Sequence, residues 1–342
     1  MTSHLLVEGD FVRASLYFGR LTAVTYSGSV ARYPVPSLSS SSHLDAEAIR
    51  TYADRASEPK VLVSEGTDRL APPSDSEIIS LHSYDGATYL GARDGLWAIP
   101  DAADGRSVRA SDYFRLVDRP ALDIDTAFGV AAVAHGDGVS VVPLNARWLS
   151  AEYFKPARDE SGSHLQALTW VHHDIVGRLA PFVYEVIPGE FELRDRDHIK
   201  HYVFKALGAA TSIDGHTTGS LICAIASRSF AVWDRVSGRS TLFARGRAGW
   251  STGDLSAGQD DLREPSAREL GSVRGRVITL REFGAYLVCE LSDRLSMVDG
   301  EGHESILLNR AVTDVRVYPR SRRYRGIMTA VSELGVHLLE PG

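Results

Sequence analysis

The 342-residue sequence predicts an all-β chain built from seven similar short-stranded units. Three observations carry this expectation. An h-x-h-h run, with h apolar, recurs along the whole chain. A small polar turn precedes each copy. Apolar anchors of an earlier strand return at intervals near the roughly 40–45 residues of a four-stranded repeat.

The copies are Leu96-Trp97-Ala98-Ile99, Val139-Ser140-Val141-Val142, Phe230-Ala231-Val232-Trp233, Leu295-Ser296-Met297-Val298 and Val336-His337-Leu338-Leu339. Val30-Ala31-Arg32-Tyr33 is a weaker one. Each reads as the third strand of its unit. The turns before them include Arg93-Asp94-Gly95, Gly136-Asp137-Gly138 and Ser292-Asp293-Arg294, residues that tolerate tight hairpins. Second strands precede those turns, as at Val130–Ala134 and Leu221–Ile225.

First strands are placed on the anchors Leu16, Leu81, Ile124, Leu168, Ile213, Leu280 and Val315. Their successive spacings are 65, 43, 44, 45, 67 and 35 residues. Each long interval holds an insertion, and the short one implies a trimmed outer strand. Unit four is the least regular, with strands expected around His164–Val171, Phe182–Ile187 and Glu190–Arg194. The last unit ends the chain without an outer strand, whereas Leu5-Leu6-Val7 precede the first unit and have no partner there. Pairing them onto the last unit would leave no open edge at that junction. The expectation is one domain over residues 1–342: a seven-bladed β-propeller closed by its N-terminal strand. A pair of β-sandwiches also has short alternating strands, but even spacing favours the propeller.

Trp233-Asp234, and Val298-Asp299 at the equivalent place, resemble the strand ending that marks the WD40-repeat family. The resemblance covers most of the chain as a pattern and lacks the family's Gly-His dipeptide in regular register. It implies a WD40-like propeller. Of the basic residues only Lys60, Lys155, Lys200 and Lys205 are lysine, an arginine bias that points to a GC-rich bacterial host.

Lys+Arg number 37 and Asp+Glu 44, for a net charge of −7, and 44% of residues are hydrophobic. That composition excludes collagen, coiled coil and wholesale disorder. It also argues against a generally basic nucleic-acid binder. Two cysteines, Cys223 and Cys289, make no disulfide framework and fit a reducing cytoplasm. They are expected to be buried and inert in second strands. Met1–Glu8 has no basic n-region or long apolar run, and no stretch approaches the roughly 18 apolar residues of a membrane helix. No membrane association is expected.

Two insertions stand out. Residues 38–75 contain a serine run and a helical periodicity over Leu44–Arg55, with Ser42 as N-cap. This short helix would cover the first blade's edge or dock a partner. Residues 246–271 read as a long Gly/Ser/Asp-rich loop carrying Trp250, a candidate contact residue.

Inner strands of a propeller line a channel, so residues flanking the anchors are candidates for chemistry. The column after them is Tyr17, His82, Asp125, Thr169, Asp214, Arg281 and Arg316. The column before includes Ser80, Asp123 and Asp314. Small and polar side chains are also what crowded, hydrated strands require. Functionally, His82, Asp125 and Asp214 could serve acid–base or metal chemistry, with Arg281 and Arg316 binding an anion and Tyr17 a further binding candidate. His172-His173-Asp174 with His198 and His201 could suggest zinc, but these lie on β-patterned segments without diagnostic spacing. No metal and no cofactor is expected. Arg320, Arg322, Arg323 and Arg325 beside Tyr318 and Tyr324 form a basic turn, able to contact an acidic protein or a nucleic-acid strand. No Walker loop, Rossmann fingerprint or nucleophile elbow occurs. The leading functional expectation is a non-enzymatic scaffold that docks a protein partner. The alternative is a small-molecule lyase, cyclase or hydrolase at the channel mouth.

Overall fold

A computed structural model describes residues 3–17, 20–34, 68–70, 73–84, 86–100, 113–144, 152–154, 167–171, 174–180, 183–187, 189–196, 199–207, 211–214, 220–226, 228–244, 268–319, 321 and 324–341. These residues form strands and turns, with no helix among them. In chain order the strands are β1 (Ser3–Glu8), β2 (Phe11–Tyr17), β3 (Arg20–Thr25), β4 (Val30–Pro34), β5 (Asp68–Leu70), β6 (Ile78–Tyr84), β7 (Ala87–Ala92), β8 (Gly95–Pro100), β9 (Phe114–Val117), β10 (Asp123–Ala127), β11 (Val130–His135), β12 (Gly138–Pro143), β13 (Glu152–Phe154), β14 (Ala167–Val171) and β15 (Asp174–Ala180). There follow β16 (Val183–Ile187), β17 (Gly189–Arg196), β18 (Ile199–Ala206), β19 (Thr211–Asp214), β20 (Ser220–Ile225), β21 (Ser229–Asp234), β22 (Arg239–Ala244), β23 (Arg268–Arg274), β24 (Thr279–Phe283), β25 (Tyr286–Glu290), β26 (Leu295–Val298), β27 (Glu304–Leu308), β28 (Val312–Val317), β29 (Met328–Ser332) and β30 (Gly335–Glu340).

The described strands make seven four-stranded antiparallel sheets and one separate two-stranded hairpin. The chain divides into two compact units. One comprises residues 1–75, 100–113 and 277–342. It holds the sheets β2-β3-β4-β5, β24-β25-β26-β27 and β28-β29-β30-β1. In the last, β1 pairs antiparallel with β30 in the register Leu5↔Leu338, Leu6↔His337 and Val7↔Val336. Leu6 and Val7 are buried. Val7, Phe11, Leu16, Leu21, Val336 and Leu338 pack together between two of these sheets. Val288, Leu295, Val315 and Leu339 fill the space on the other side.

The other unit comprises residues 76–99 and 114–276. Its sheets are β6-β7-β8-β9, β10-β11-β12-β13, β14-β15-β16-β19 and β20-β21-β22-β23, plus the hairpin β17-β18. Every residue of β11 and β12 is buried. Apolar neighbours cover both faces, so these strands read as near-continuous apolar runs rather than alternating ones. The β10–β11 link is a two-residue loop, Phe128-Gly129, with φ of 51° and 75°. Two positive φ values suit the twist of a tight hairpin, at a strain cost for Phe128.

Several sequence expectations need correction. The anchor Ile213 does not mark a first strand: it lies in Thr211–Asp214. That segment pairs with β16 as β19, the last strand in its sheet's order. The first strand of the next sheet is β20, so Phe230–Trp233 lies in a second strand, not a third, and Cys223 in a first strand, not a second. Glu190–Arg194 is no part of the fourth sheet; it belongs to the β17–β18 hairpin inserted between β16 and β19. That hairpin alternates apolar and polar residues with period two, the same signal as a sheet strand, and it shifted the assignment. The insertion at 38–75 contains β5 and the loop at 246–271 ends inside β23. The expected helix at Leu44–Arg55 lies outside the described residues.

Candidate functional site

Several residues of the columns flanking the anchors, namely Ser80, His82, Asp123 and Asp314, tie neighbouring segments together. In one unit, Asp123 Oδ2 accepts the Leu168 amide at 3.0 Å, tying β10 to β14. Ser80 Oγ donates to the Ala121 carbonyl at 3.2 Å. His82 Nε2 lies 2.9 Å from Thr126 Oγ1, joining β6 to β10. Asp125 Oδ1 accepts the Thr126 amide at 2.8 Å. The Gly129 amide donates to Tyr84 Oη at 2.9 Å.

The other unit repeats the device. Asp314 Oδ2 accepts the Ala14 amide at 3.2 Å and Arg316 Nε at 3.1 Å. The Leu16 amide donates to Tyr318 Oη at 2.8 Å, and that hydroxyl meets Thr329 Oγ1 at 2.9 Å. Burial pushes the Tyr318 hydroxyl up to about 12. Arg316 is therefore held by a neighbouring carboxylate. Tyr17 and Arg281 are half-buried on β2 and β24.

The structure thus brings His82 to Asp125's neighbour Thr126, on adjacent first strands. It puts Asp214 on the far strand of a different sheet. Trp250, Arg320, Arg322, Arg323, His172, His173 and His198 lie outside the described residues. Asp174 and His201 sit on strands of different sheets. Among the described residues no group of three or more histidine, cysteine, aspartate or glutamate side chains could hold a metal ion. Arg325 is exposed, but Tyr324 beside it is buried and makes an edge-on ring contact with Tyr318 at 6.3 Å. Base stacking on Tyr324 is thereby ruled out as a role for that ring, because it belongs to the core. Cys223 and Cys289 are buried free thiols. The carboxylates after the two strand endings cap turns: Asp234 Oδ1 accepts the Val236 amide at 2.8 Å, and Asp299 Oδ1 accepts those of Glu301 and His303, each at 2.9 Å. These bonds hold both carboxyls below their ordinary range.

Two features escaped the sequence reading. The first is a cleft of about 290 Å³ lined by Arg115, Asp118, Arg119, Ser140 and Tyr153. Arg119 lies over the Tyr153 ring at 4.2 Å and reaches Asp137 at 3.3 Å. Tyr153 Oη donates to the Asp137 carbonyl at 2.6 Å. The second is an aromatic patch on the inserted hairpin. Phe128 lies 4.8 Å from Phe191 and 5.8 Å from Tyr202, ring centre to ring centre. Phe128 is 42% exposed, Tyr202 39% and Leu193 52%. The register Phe191↔Phe204 and Leu193↔Tyr202 places these side chains on one face of the hairpin. Phe204, at its base, is buried against Phe154. The period-two alternation of 190–194 was the available signal, but only the fold separates the hairpin from a blade strand.

No protein-family model matches the chain, and no curated protein matches it in sequence. Solved structures do. The β-propeller domain of Swd1 from Myceliophteria thermophila matches with a TM-score of 0.55 at 10% identity, covering 98% of each chain. The WD40 domain of Pan2 from Neurospora crassa gives 0.55 at 10% identity, covering 98% of this chain and 90% of that one. A streptogramin B lyase gives 0.58 at 8% identity, covering 99% and 97%. At such identities the likeness shows the fold alone, a β-propeller, and WD40 domains are among the structures that share it.

Proposed function

We propose that the chain is a seven-bladed propeller, closed by β1 on β30, that serves as a non-enzymatic scaffold for a protein partner. The exposed side chains of Phe128, Leu193 and Tyr202, with the half-buried Phe191 ring between Phe128 and Tyr202, carry this reading. Solvent-facing rings gathered where the β10–β11 turn meets the β17–β18 hairpin are costly for a monomer and suit a protein contact. Phe128 presents its ring from a backbone conformation that disfavours side chains with a Cβ. Such strain is accepted where a side chain must be aimed. The WD40 neighbours support the same kind of use. Two buried thiols fit a reducing, cytoplasmic setting.

The enzymatic alternative rests on His82, Asp125 and Asp214. The hydroxyl of Thr126 occupies His82 Nε2, and Asp214 lies on a last strand. A general acid–base group needs a free path to substrate, so a stitching role describes His82 better, and Asp214 stands apart from it on another sheet.

Affinity capture from the native host, quantified by mass spectrometry, tests the scaffold reading. Phe128→Gly removes the ring and suits the positive φ, and Tyr202→Ser removes the second ring. Wild type should retain a stoichiometric protein that this double variant loses. Absence of such a protein, or its equal retention by the variant, would sink the proposal.

A further inference from the structure

The β1–β30 seam contains a pair of titratable rings, His337 buried and His4 half-buried. His4 Nε2 on β1 lies 2.8 Å from His337 Nδ1 on β30, 333 residues away in sequence. The ring centroids are 5.0 Å apart. His337 Nε2 also lies 2.6 Å from Ser332 Oγ on β29. His337 is 1% exposed. The register Leu6↔His337 and His4↔Leu339 sets both rings on one side of the sheet, the side that meets β24–β27 through Leu339. Arg310, between β27 and β28, is the charged group that acts on both rings; its guanidinium lies 3.7 Å from Glu333. Glu8 and Glu340 are exposed at the two ends of the seam. On the opposite face the seam meets the β2–β5 sheet through Val7 and Val336 against Phe11, Leu16 and Leu21.

A hydrogen-bonded pair of this kind works with both rings neutral: one N–H donates to the other ring's bare nitrogen. When both rings are charged, N–H faces N–H across the gap with no acceptor between them. Among the described strands β1 is an edge strand, paired only to β30, and it is joined to β2 through Gly9 and Asp10. β30 is paired on both sides. Strain at the pair is therefore relieved by letting β1 go, without dismantling β28–β30.

We propose that His4 and His337 make the β1–β30 seam a pH-sensitive latch, which releases β1 on acidification while β28, β29 and β30 stay paired. Burial holds both rings below the ordinary histidine range, His337 down to about 3, and Arg310 adds to the effect. Protons are thus taken up on opening. Each histidine that gains one favours the open form by up to tenfold per pH unit below its free value.

Hydrogen exchange on the full chain, corrected for the intrinsic pH dependence of amide exchange, tests this. Between pH 7.5 and 5.0, protection of the β1 amides should fall at least tenfold while that of β29 holds. His4→Gln with His337→Gln should remove the pH dependence. Arg310→Gln leaves the rings in place and should move release to lower pH, so the test survives if the double variant does not fold. The latch is overturned if β1 protection is constant across the range, if it falls equally without the histidines, or if β28–β30 open together with β1.

Discussion

His135 and Ser140 face each other across the β11–β12 hairpin with Nε2 and Oγ 2.6 Å apart, and Ser332 and His337 repeat the pair across β29–β30 with its members exchanged. In each case the first residue ends a strand opposite a glycine, Gly138 or Gly335, and the second lies two residues past that glycine. Both pairs are buried. The His135 ring is further held at Nδ1 by the Pro120 carbonyl at 2.5 Å, the His337 ring by His4. Two hydrogen-bonding groups enclosed together satisfy each other, and the order in which the chain supplies them does not matter.

A double-mutant cycle should show this interchangeability. His135→Ala alone leaves Ser140 and the Pro120 carbonyl without their partner and opens a cavity. A loss of about 2–4 kcal/mol in urea unfolding is expected. The exchanged double variant, His135→Ser with Ser140→His, should recover about 1 kcal/mol or more relative to the sum of the single changes. Simple additivity would show that the pair contributes nothing as a pair.

Acid should destabilise the fold well before its carboxylates titrate. His4, His135 and His337 all sit below the ordinary value of 6.5, chiefly through burial. The unfolded chain takes up protons the folded chain refuses. Stability is therefore full above pH 6.5 and falls as pH drops toward the folded value of about 3 for His337. Between pH 6.5 and 5.0 that residue alone removes up to about 2 kcal/mol. Urea midpoints at pH 7.5 and 5.0 and fixed ionic strength should reveal the drop; a flat profile would contradict it.

Asp123 and Asp314 should behave as strand-to-strand stitches. Asp123→Ala frees the Leu168 amide and should cost about 1–3 kcal/mol, whereas Asp123→Asn keeps an accepting oxygen and should cost less. Asp314→Asn should cost more than Asp123→Asn, because it also leaves Arg316 without its half-buried counter-charge. Thermal melts of the three variants give the ranking.

Gly335→Ala should loosen β1 specifically. Gly335 has φ of +138°, and a Cβ there would collide with the Val7 carbonyl and Glu8 Cα on the facing strand. Backbone on both sides leaves no flexible group to yield. Hydrogen exchange should show lost protection at Ser3–Glu8 even at pH 7.5. Unchanged protection would mean the seam tolerates displacement.

Much of the architecture was legible in the residues. The h-x-h-h runs and their Gly/Asp/Ser turns located most hairpins, because close-packed sheets covered on both faces demand apolar strands and sharp reversals. The x of that pattern is polar at Ser140, Ser296 and His337, and all three are buried. Local pattern reports which residues can alternate, not what stands opposite them. The same blindness shifted the fifth anchor, since the β17–β18 hairpin carries the period of a blade strand.

The amino-acid order by itself determined most strands and turns and the pairing of Leu5–Val7 with Val336–Leu339, because these follow from periodicity and from an edge that needs covering. The tertiary structure alone decided the roles of the polar residues. Whether His82 or Asp123 acts on a substrate or fastens a neighbouring strand depends on which amide or hydroxyl lies within about 3 Å. Residues 40 or more positions away supply those partners, and no spacing within one strand encodes that distance.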